Sequence, residues 1–148
     1  MQLTAEILRK QLPYHCGPID TAKIAFVGEA PGASEANHPH KHPFVGKSGS
    51  WLRTWMKQVG IDPESVYMTN VLKERPLDNN FQKFWKLNPK TIETHISPLF
   101  EELSLLPNLN LIVPVGGRAL NVLCNSGTPE TNTKKGGLSI TNWRGSII

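Results

Sequence analysis

The sequence predicts an α/β fold, a three-layer sandwich in which a central, mostly parallel four-stranded sheet is flanked by helices. Short apolar runs without polar alternation, such as residues 24–27 (IAFV), are typical of strands buried on both faces. Between these runs lie segments whose apolar residues recur every three or four positions, so predicted strands alternate with predicted helices. A length of 148 residues suits a single core, and we assign one domain to residues 1–148.

The first predicted elements are a short helix and a buried strand. Residues 4–12 have leucine and isoleucine at helical spacing, and Pro13 ends that helix. The strand over residues 24–27 ends in the turn Gly28-Glu29-Ala30-Pro31-Gly32, whose glycines permit close backbone approaches. In parallel sheets, ligands bind at the carboxyl ends of strands. An ordinary strand-to-loop turn is the alternative interpretation.

A histidine-rich loop and an aromatic helix follow the turn. His38, His40 and His42 alternate with other residues between prolines, which does not guarantee that the imidazoles converge, and no fourth ligand is evident, so no metal site is predicted. Ser48 is the expected cap of the next helix, which ends at Gly60. Its apolar stripe is predicted to face the core, both tryptophans included; the stripe comprises Trp51, Leu52, Trp55, Met56 and Val59.

The second predicted strand covers residues 65–69 and places Asn70 at its carboxyl end. Residues 73–86 combine lysines with three aromatic residues and few aliphatic ones, which indicates an irregular excursion over the surface. The aromatic residues of such a segment either anchor it to the core or stack on nucleic-acid bases.

The last third of the chain continues the alternation. A helix is predicted from Asn88 through Leu103 and is divided near Pro98; a third strand follows at residues 109–115, then a helix at residues 118–124. Residues 126–137 are polar and indicate a loop, whereas residues 138–140 and 146–148 look like further strand material.

Composition restricts the class of protein only mildly. The formal charge of +4 is compatible with a polyanionic partner but does not require one. No apolar run reaches the roughly 18 residues of a membrane span, and no signal-peptide pattern is visible at the N-terminus. We therefore expect a protein of the cytoplasm, in a bacterium or a phage-infected cell, without a membrane partner. We also expect a monomer. The two cysteines, Cys16 and Cys124, do not form a CxxC motif.

Three ordered motifs carry a resemblance to a known family. The first is the GEAPG turn with Glu35, the second is PFVGKSG at residues 43–49, and the third is VYMTNVLK at residues 66–73 followed by Arg75-Pro76. Together they resemble the uracil-DNA glycosylase superfamily, and family 4 most of all. The resemblance implies excision of uracil, or of a modified pyrimidine, from DNA by base flipping and hydrolysis of the N-glycosidic bond.

The resemblance also implies roles for residues of this chain. Phe44 is expected to stack on the base, Asn70 to read it, and Glu29 to be the nearest carboxylate for activating water. Backbone at Gly28, Ala30 and Gly32 is expected to approach the base and sugar. DNA phosphates are expected to contact a further set of residues, namely Lys47, Ser48, Gly49, Lys73 and Arg75.

Two departures from the family pattern bear on function. Family 4 proteins resemble one another in four cysteines that hold an iron–sulfur cluster. This chain has Glu74 at one such position and His95 near another, and only Cys16 remains near one of the two N-terminal positions, so no cofactor is expected. The family's His-Pro-Ser-like loop has no counterpart before Ile148. A fragment, a divergent short enzyme and a catalytically silent nucleic-acid or nucleotide-binding domain stay open, and a flavodoxin-like nucleotide-binding protein is a weaker alternative.

Overall fold

The computed structural model describes residues 12–87 and 92–124, together with Thr4, Glu6 and Ile7. Most of the predicted N-terminal helix, the cap at Asn88-Pro89, the polar loop over 126–137 and the strand segments at 138–140 and 146–148 lie outside the described residues. The remaining elements follow one another in the predicted order: β1 (Ile24–Gly28), α1 (Ala33–Asn37), α2 (Lys47–Gln58), β2 (Tyr67–Asn70), a 3-10 turn (Leu77–Asn79), α3 (Phe81–Leu87), a π-helical segment (Ile92–Ile96), α4 (Ser97–Ser104), β3 (Leu111–Pro114) and α5 (Gly117–Cys124).

The three strands of the described residues form a parallel sheet in the order β2-β1-β3. This confirms the predicted parallel sheet between helices, but within the described residues the sheet has three strands rather than the predicted four. Gly28 pairs with Asn70 and Val27 with Pro114, so the carboxyl ends of all three strands meet at one edge. Groups that follow these strands in sequence are thereby brought together in space.

Successive residues of β1 pack into two different apolar clusters, one on each face of the sheet. Ala25 and Val27 join a cluster with Leu99 of α4 and Val122 of α5, whereas Phe26 joins Met56 of α2. This follows from the alternation of side chains along a strand. Helix α2 therefore covers one face, and α4 with α5 the other. Within the described part of the chain, no helix combines the length and the apolar character needed to cross a membrane.

The prediction that Trp51 and Trp55 belong to the core is wrong. Their exposed fractions are 55% and 56%, and Val59 is 72% exposed, whereas Met56 is buried. The reason is a backbone contact: a Cβ on Gly49 would lie 1.9 Å from the carbonyl oxygen of Phe44, so that side of α2 is pressed against the loop before it. Gly49 and Met56 lie two turns apart on that inner side, which turns both tryptophans outward.

Three further expectations need correction or refinement. Residues 73–86 are not an irregular excursion, because the 3-10 turn and α3 occupy most of the segment and Phe81 is buried. Phe81 and Trp85 recur at helical spacing and stack with ring centroids 6.1 Å apart, which anchors α3 to the core.

Gly46 rather than Ser48 is the N-cap of α2. The division near Pro98 is confirmed, since the π-helical segment ends at Ile96 and Pro98 lies in the first turn of α4.

Candidate functional site

A cavity of about 400 Å³ lies at the carboxyl edge of the sheet. It is lined by the β1 turn, the loop before α2, the first turn of α2, the end of β2 and the residue after β3. Most of the site residues predicted from sequence line this one cavity, namely Gly28, Glu29, Ala30, Gly32, Phe44, Lys47, Ser48, Gly49 and Asn70. Residues separated by more than 40 positions meet here because parallel strands end at a common edge.

The Asn70 amide and the Phe44 ring converge above Gly28. A Cβ on Gly28 would lie 2.3 Å from Asn70 Oδ1 and 2.8 Å from Phe44 Cζ, so any larger residue would fill the space between them. Asn70 is only 3% exposed, and its side-chain amide makes no hydrogen bond within the described residues. Asn70 lines the cavity, and a side-chain amide that has no protein partner there is available to a ligand. The arrangement offers a flat apolar face beside a donor and an acceptor.

Phe44 is held in an uncommon backbone conformation. Its φ of 56° lies in the left-handed region, which costs a non-glycine residue on the order of 1–3 kcal/mol. The Phe44 carbonyl lies close against Gly49, and the Phe44 side chain packs against the cluster that contains Phe26 and Met56. Phe44 is therefore half-buried, although it belongs to a loop.

Glu35 connects the two loops that form the cavity. One carboxylate oxygen accepts a hydrogen bond from the Gly32 N–H at 3.0 Å, and the other accepts one from the Gly46 N–H at 3.2 Å. Glu35 belongs to the first sequence motif, but the motif alone did not predict a role for it. The signal that could have identified the first contact is its position three residues after Gly32, the spacing of a capping box.

Glu29 is tied to the beginning of α5. Its Oε1 accepts a hydrogen bond from the Arg118 N–H at 3.2 Å, and its Oε2 lies 3.4 Å from Arg118 Nη1. Gly116, with a φ of 105°, makes room for this carboxylate, since a Cβ there would lie 2.7 Å from Glu29 Oε1. The carboxylate expected to activate water thus has partners that orient it at the cavity wall. Arg118 is a contributor that sequence reasoning missed; the Gly116-Gly117 turn before it is the only signal.

The first turn of α2 lines the cavity and contains polar residues but no acidic side chain. Lys47 and Ser48 are exposed, Gly49 is buried, and the first turn of this helix of 12 residues contains no carboxylate. The free N–H groups and the positive end of the dipole at a helix N-terminus favour an anion. This is where a phosphate was expected.

Lys73 is not available for a phosphate, which corrects the expectation for this residue. Its ammonium is buried and hydrogen-bonds Thr69 and Glu102, while the Tyr67 hydroxyl donates to Glu102 Oε1 at 2.7 Å. Burial lowers the pKa of Lys73, and the Glu102 carboxylate opposes that change. Arg75 is exposed but does not line the cavity; its Nε donates to Asn79 Oδ1 at 2.9 Å.

The histidine loop brings its three imidazoles close together, which the sequence pattern did not lead us to expect. The ring centroids of His38, His40 and His42 lie 5.1–5.9 Å apart, and the rings of His38 and His42 stack. Burial and the two neighbouring imidazoles lower the pKa of His42. Within the described residues, no group of three or more histidine, cysteine or acidic side chains is arranged to hold a metal ion.

Two positions at which the resemblance to family 4 implies cluster cysteines have hydrogen-bonding side chains instead. His95 Nε2 lies 3.5 Å from Glu74 Oε1, and His95 Nδ1 accepts the Lys73 N–H at 3.2 Å. Burial lowers the pKa of His95, so the ring is neutral near pH 7. A carboxylate and an imidazole paired with each other do not form a thiolate set, and these residues do not fit an iron–sulfur cluster.

Comparisons with known proteins agree with the motifs. The family model described as "Uracil DNA glycosylase superfamily" matches residues 15–144. The chain is 36% identical over 106 residues to the type-4 uracil-DNA glycosylase of Archaeoglobus fulgidus, covering 72% of this chain and 49% of that protein. It is 33% identical over 132 residues to the type-4 uracil-DNA glycosylase of Thermotoga maritima, covering 89% and 59%. The chain thus spans about half the length of the curated relatives that it matches.

Proposed function

Because the chain belongs to the uracil-DNA glycosylase superfamily, we propose that its cavity receives a uracil flipped out of DNA and supports hydrolysis of the N-glycosidic bond. One observation carries this proposal above the others. The Asn70 amide and the Phe44 ring converge over Gly28 in one cavity, which thereby offers a hydrogen-bonding edge beside a flat apolar face. The same cavity accommodates a modified pyrimidine that keeps the uracil edge.

Asn70 supplies the discrimination between bases in this proposal. A side-chain amide accepts a hydrogen bond from uracil N3–H through its oxygen and donates to uracil O4 through its nitrogen. Cytosine presents an acceptor at N3 and a donor at N4, so both contacts are reversed. Each unsatisfied buried group costs about 1–3 kcal/mol, which is sufficient to reject cytosine. Stacking on Phe44 adds roughly 1–3 kcal/mol but is the same for every base.

The remaining site residues position the DNA and the reacting groups. Lys47, Ser48 and the N-terminus of α2 are suited to a phosphate beside the flipped nucleotide. Backbone at Ala30 and Gly32 faces the sugar. Glu29, oriented by Arg118, is the carboxylate nearest to the position of an attacking water, and Glu35 positions the loops without contacting the substrate.

A catalytically silent binding domain is the second candidate function. One observation favours it: no histidine lies among the described residues that line the cavity, and the only lining carboxylates already have partners. Such a protein would bind uracil-containing DNA and leave the glycosidic bond intact. The two candidate functions therefore differ in whether the glycosidic bond is hydrolysed and share the recognition of uracil.

The test is a pair of measurements on one oligonucleotide that contains a single uracil. We expect the chain to bind it more tightly than the matched cytosine oligonucleotide, and to release uracil under single-turnover conditions. Asn70→Ala should abolish both the preference and the release, whereas Asn37→Ala, an exposed asparagine outside the cavity, should change neither. Preference without release supports the silent binder. Absence of a preference contradicts both candidate functions.

A further inference from the structure

Helix α2 has the composition of a nucleic-acid contact along its whole length. Its 12 residues, KSGSWLRTWMKQ, include three cations, two tryptophans and no aspartate or glutamate. Lys47, Trp51 and Trp55 follow one another at intervals of four and lie on the same outward face. Two tryptophans that are each more than half exposed on such a helix require an explanation, because aromatic side chains are normally buried.

The other outward side of α2 borders a basic groove. This groove of about 620 Å³ is lined by Arg53 and Lys57, by the hydroxyl side chains of Ser50 and Thr54, and by Phe44. Glu64 at its far wall lies 3.6 Å from Arg53 and is almost fully exposed, so it offsets only part of the positive charge. Phe44 lines both the groove and the base cavity, and Lys47 also lines the cavity, so the surface of α2 continues directly from the candidate site.

We propose that α2 binds a single-stranded stretch of the DNA next to the flipped nucleotide, with its backbone in the basic groove and its bases stacked on Trp51 and Trp55. This inference rests on the proposed function for the identity of the strand. Exposed aromatic faces beside a positively charged groove are the recurring means of binding single strands without regard to sequence. The two indole rings are 6.2 Å apart and tilted by 38°, so each presents its own face to a separate base.

The occupant is a single strand rather than a duplex for a geometric reason. Bases in a duplex are stacked on their neighbours and paired, and only an unpaired base can lie flat on an indole ring. The distance from Lys47 to Trp55 along the helix is about 12 Å at 1.5 Å per residue, which accommodates a few nucleotides. The surface therefore favours substrates that are single-stranded beside the uracil.

The experiment uses a fluorescent 12-nucleotide oligodeoxycytidylate, whose bases do not present the uracil edge. Replacing both tryptophans, Trp51→Ala with Trp55→Ala, should weaken its binding at least tenfold, and Trp51→Phe with Trp55→Phe should restore most of it, because a phenyl ring still stacks. Phe100→Ala removes an exposed aromatic residue of α4 and is the matched control, expected to leave binding unchanged. Binding of a hairpin duplex should be the same for all these variants.

Equal binding of oligodeoxycytidylate by the parent and the double alanine variant would overturn the inference. So would a parent that is a dimer in solution and becomes monomeric in that variant, since a second copy would then cover the tryptophans. The proposed function is judged separately, because Asn70→Ala should remove uracil preference and leave oligodeoxycytidylate binding intact, since cytosine does not present the edge that Asn70 reads. Tryptophan-dependent binding without uracil preference would support the α2 surface and contradict the glycosylase.

Discussion

Asn70 and Lys73 stand three residues apart at the end of the same strand, yet their polar groups have opposite surroundings. The Asn70 amide faces a cavity and has no partner among the described residues, whereas the Lys73 ammonium is enclosed by Thr69 and Glu102. A satisfied buried group contributes to the stability of one conformation, and an unsatisfied group facing a cavity is available to a ligand. Two residues only three positions apart thus have different roles: Lys73 is structural, and Asn70 is available for recognition.

The largest expected effect comes from breaking the enclosed pair. Lys73→Met leaves the Glu102 carboxylate buried without its cation, which should lower the free energy of unfolding by about 3–5 kcal/mol. Chemical denaturation measures the change. Arg75→Met, at an exposed position two residues later, is the control and should stay within about 0.5 kcal/mol of the parent. Equal stability of the two variants would show that the pair is not structural.

The next effect concerns recognition rather than stability. Asn70→Asp removes the amide donors and leaves an acceptor, so the contact with uracil O4 is lost and one with cytosine N4 becomes possible. The preference for uracil over cytosine should fall about tenfold or more, measured as a ratio of dissociation constants. Asn37→Asp introduces the same charge change at an exposed site. If Asn70→Asp handles uracil as the parent does, Asn70 does not read the base.

Phe44→Ala tests the apolar half of the site. Loss of stacking should weaken binding of the uracil oligonucleotide by about five- to 150-fold, with little change in uracil preference, because stacking is the same for every base. A cooperative thermal melt should persist, since the Phe44 side chain is only half-buried. A variant that no longer melts cooperatively would show that Phe44 is mainly structural.

The smallest expected effect is a dependence of stability on pH. Burial lowers the pKa of His95 below its ordinary value of 6.5. As the pH falls below about 6.5, the unfolded chain therefore binds a proton that the folded chain does not, and the free energy of unfolding decreases. His95→Gln should reduce this decrease, as measured by denaturant titrations at pH 7 and pH 5. An unchanged pH profile would show that His95 titrates normally in the fold.

The salt dependence of DNA affinity tests the proposed contacts between phosphates and lysine side chains. Affinity for DNA should fall as salt rises, because phosphate neutralisation by cations such as Lys47 releases counterions. Lys47→Gln should flatten the dependence, while Lys73→Met should leave its slope unchanged, since the Lys73 ammonium is directed inward. A flat dependence in the parent would contradict a DNA role.

The sequence by itself determined the order of elements and the location of the site. Apolar runs, glycines and prolines are local signals, so β1, β2, β3, α2 and α5 were predicted close to their observed bounds. The convergence of the GEAPG turn, Phe44 and Asn70 followed from a general property of parallel sheets, that their carboxyl ends share an edge.

Only the tertiary structure decided which side of an amphipathic helix turns inward and which charges are enclosed. The stripe on α2 was wide enough for two orientations, and the contact of Gly49 with Phe44 selected the one that exposes Trp51 and Trp55. Lys73 was expected at the surface because its partner, Glu102, lies 29 residues away and nothing local indicates the pair. Such choices depend on contacts between distant segments, which patterns within a short window of sequence do not contain.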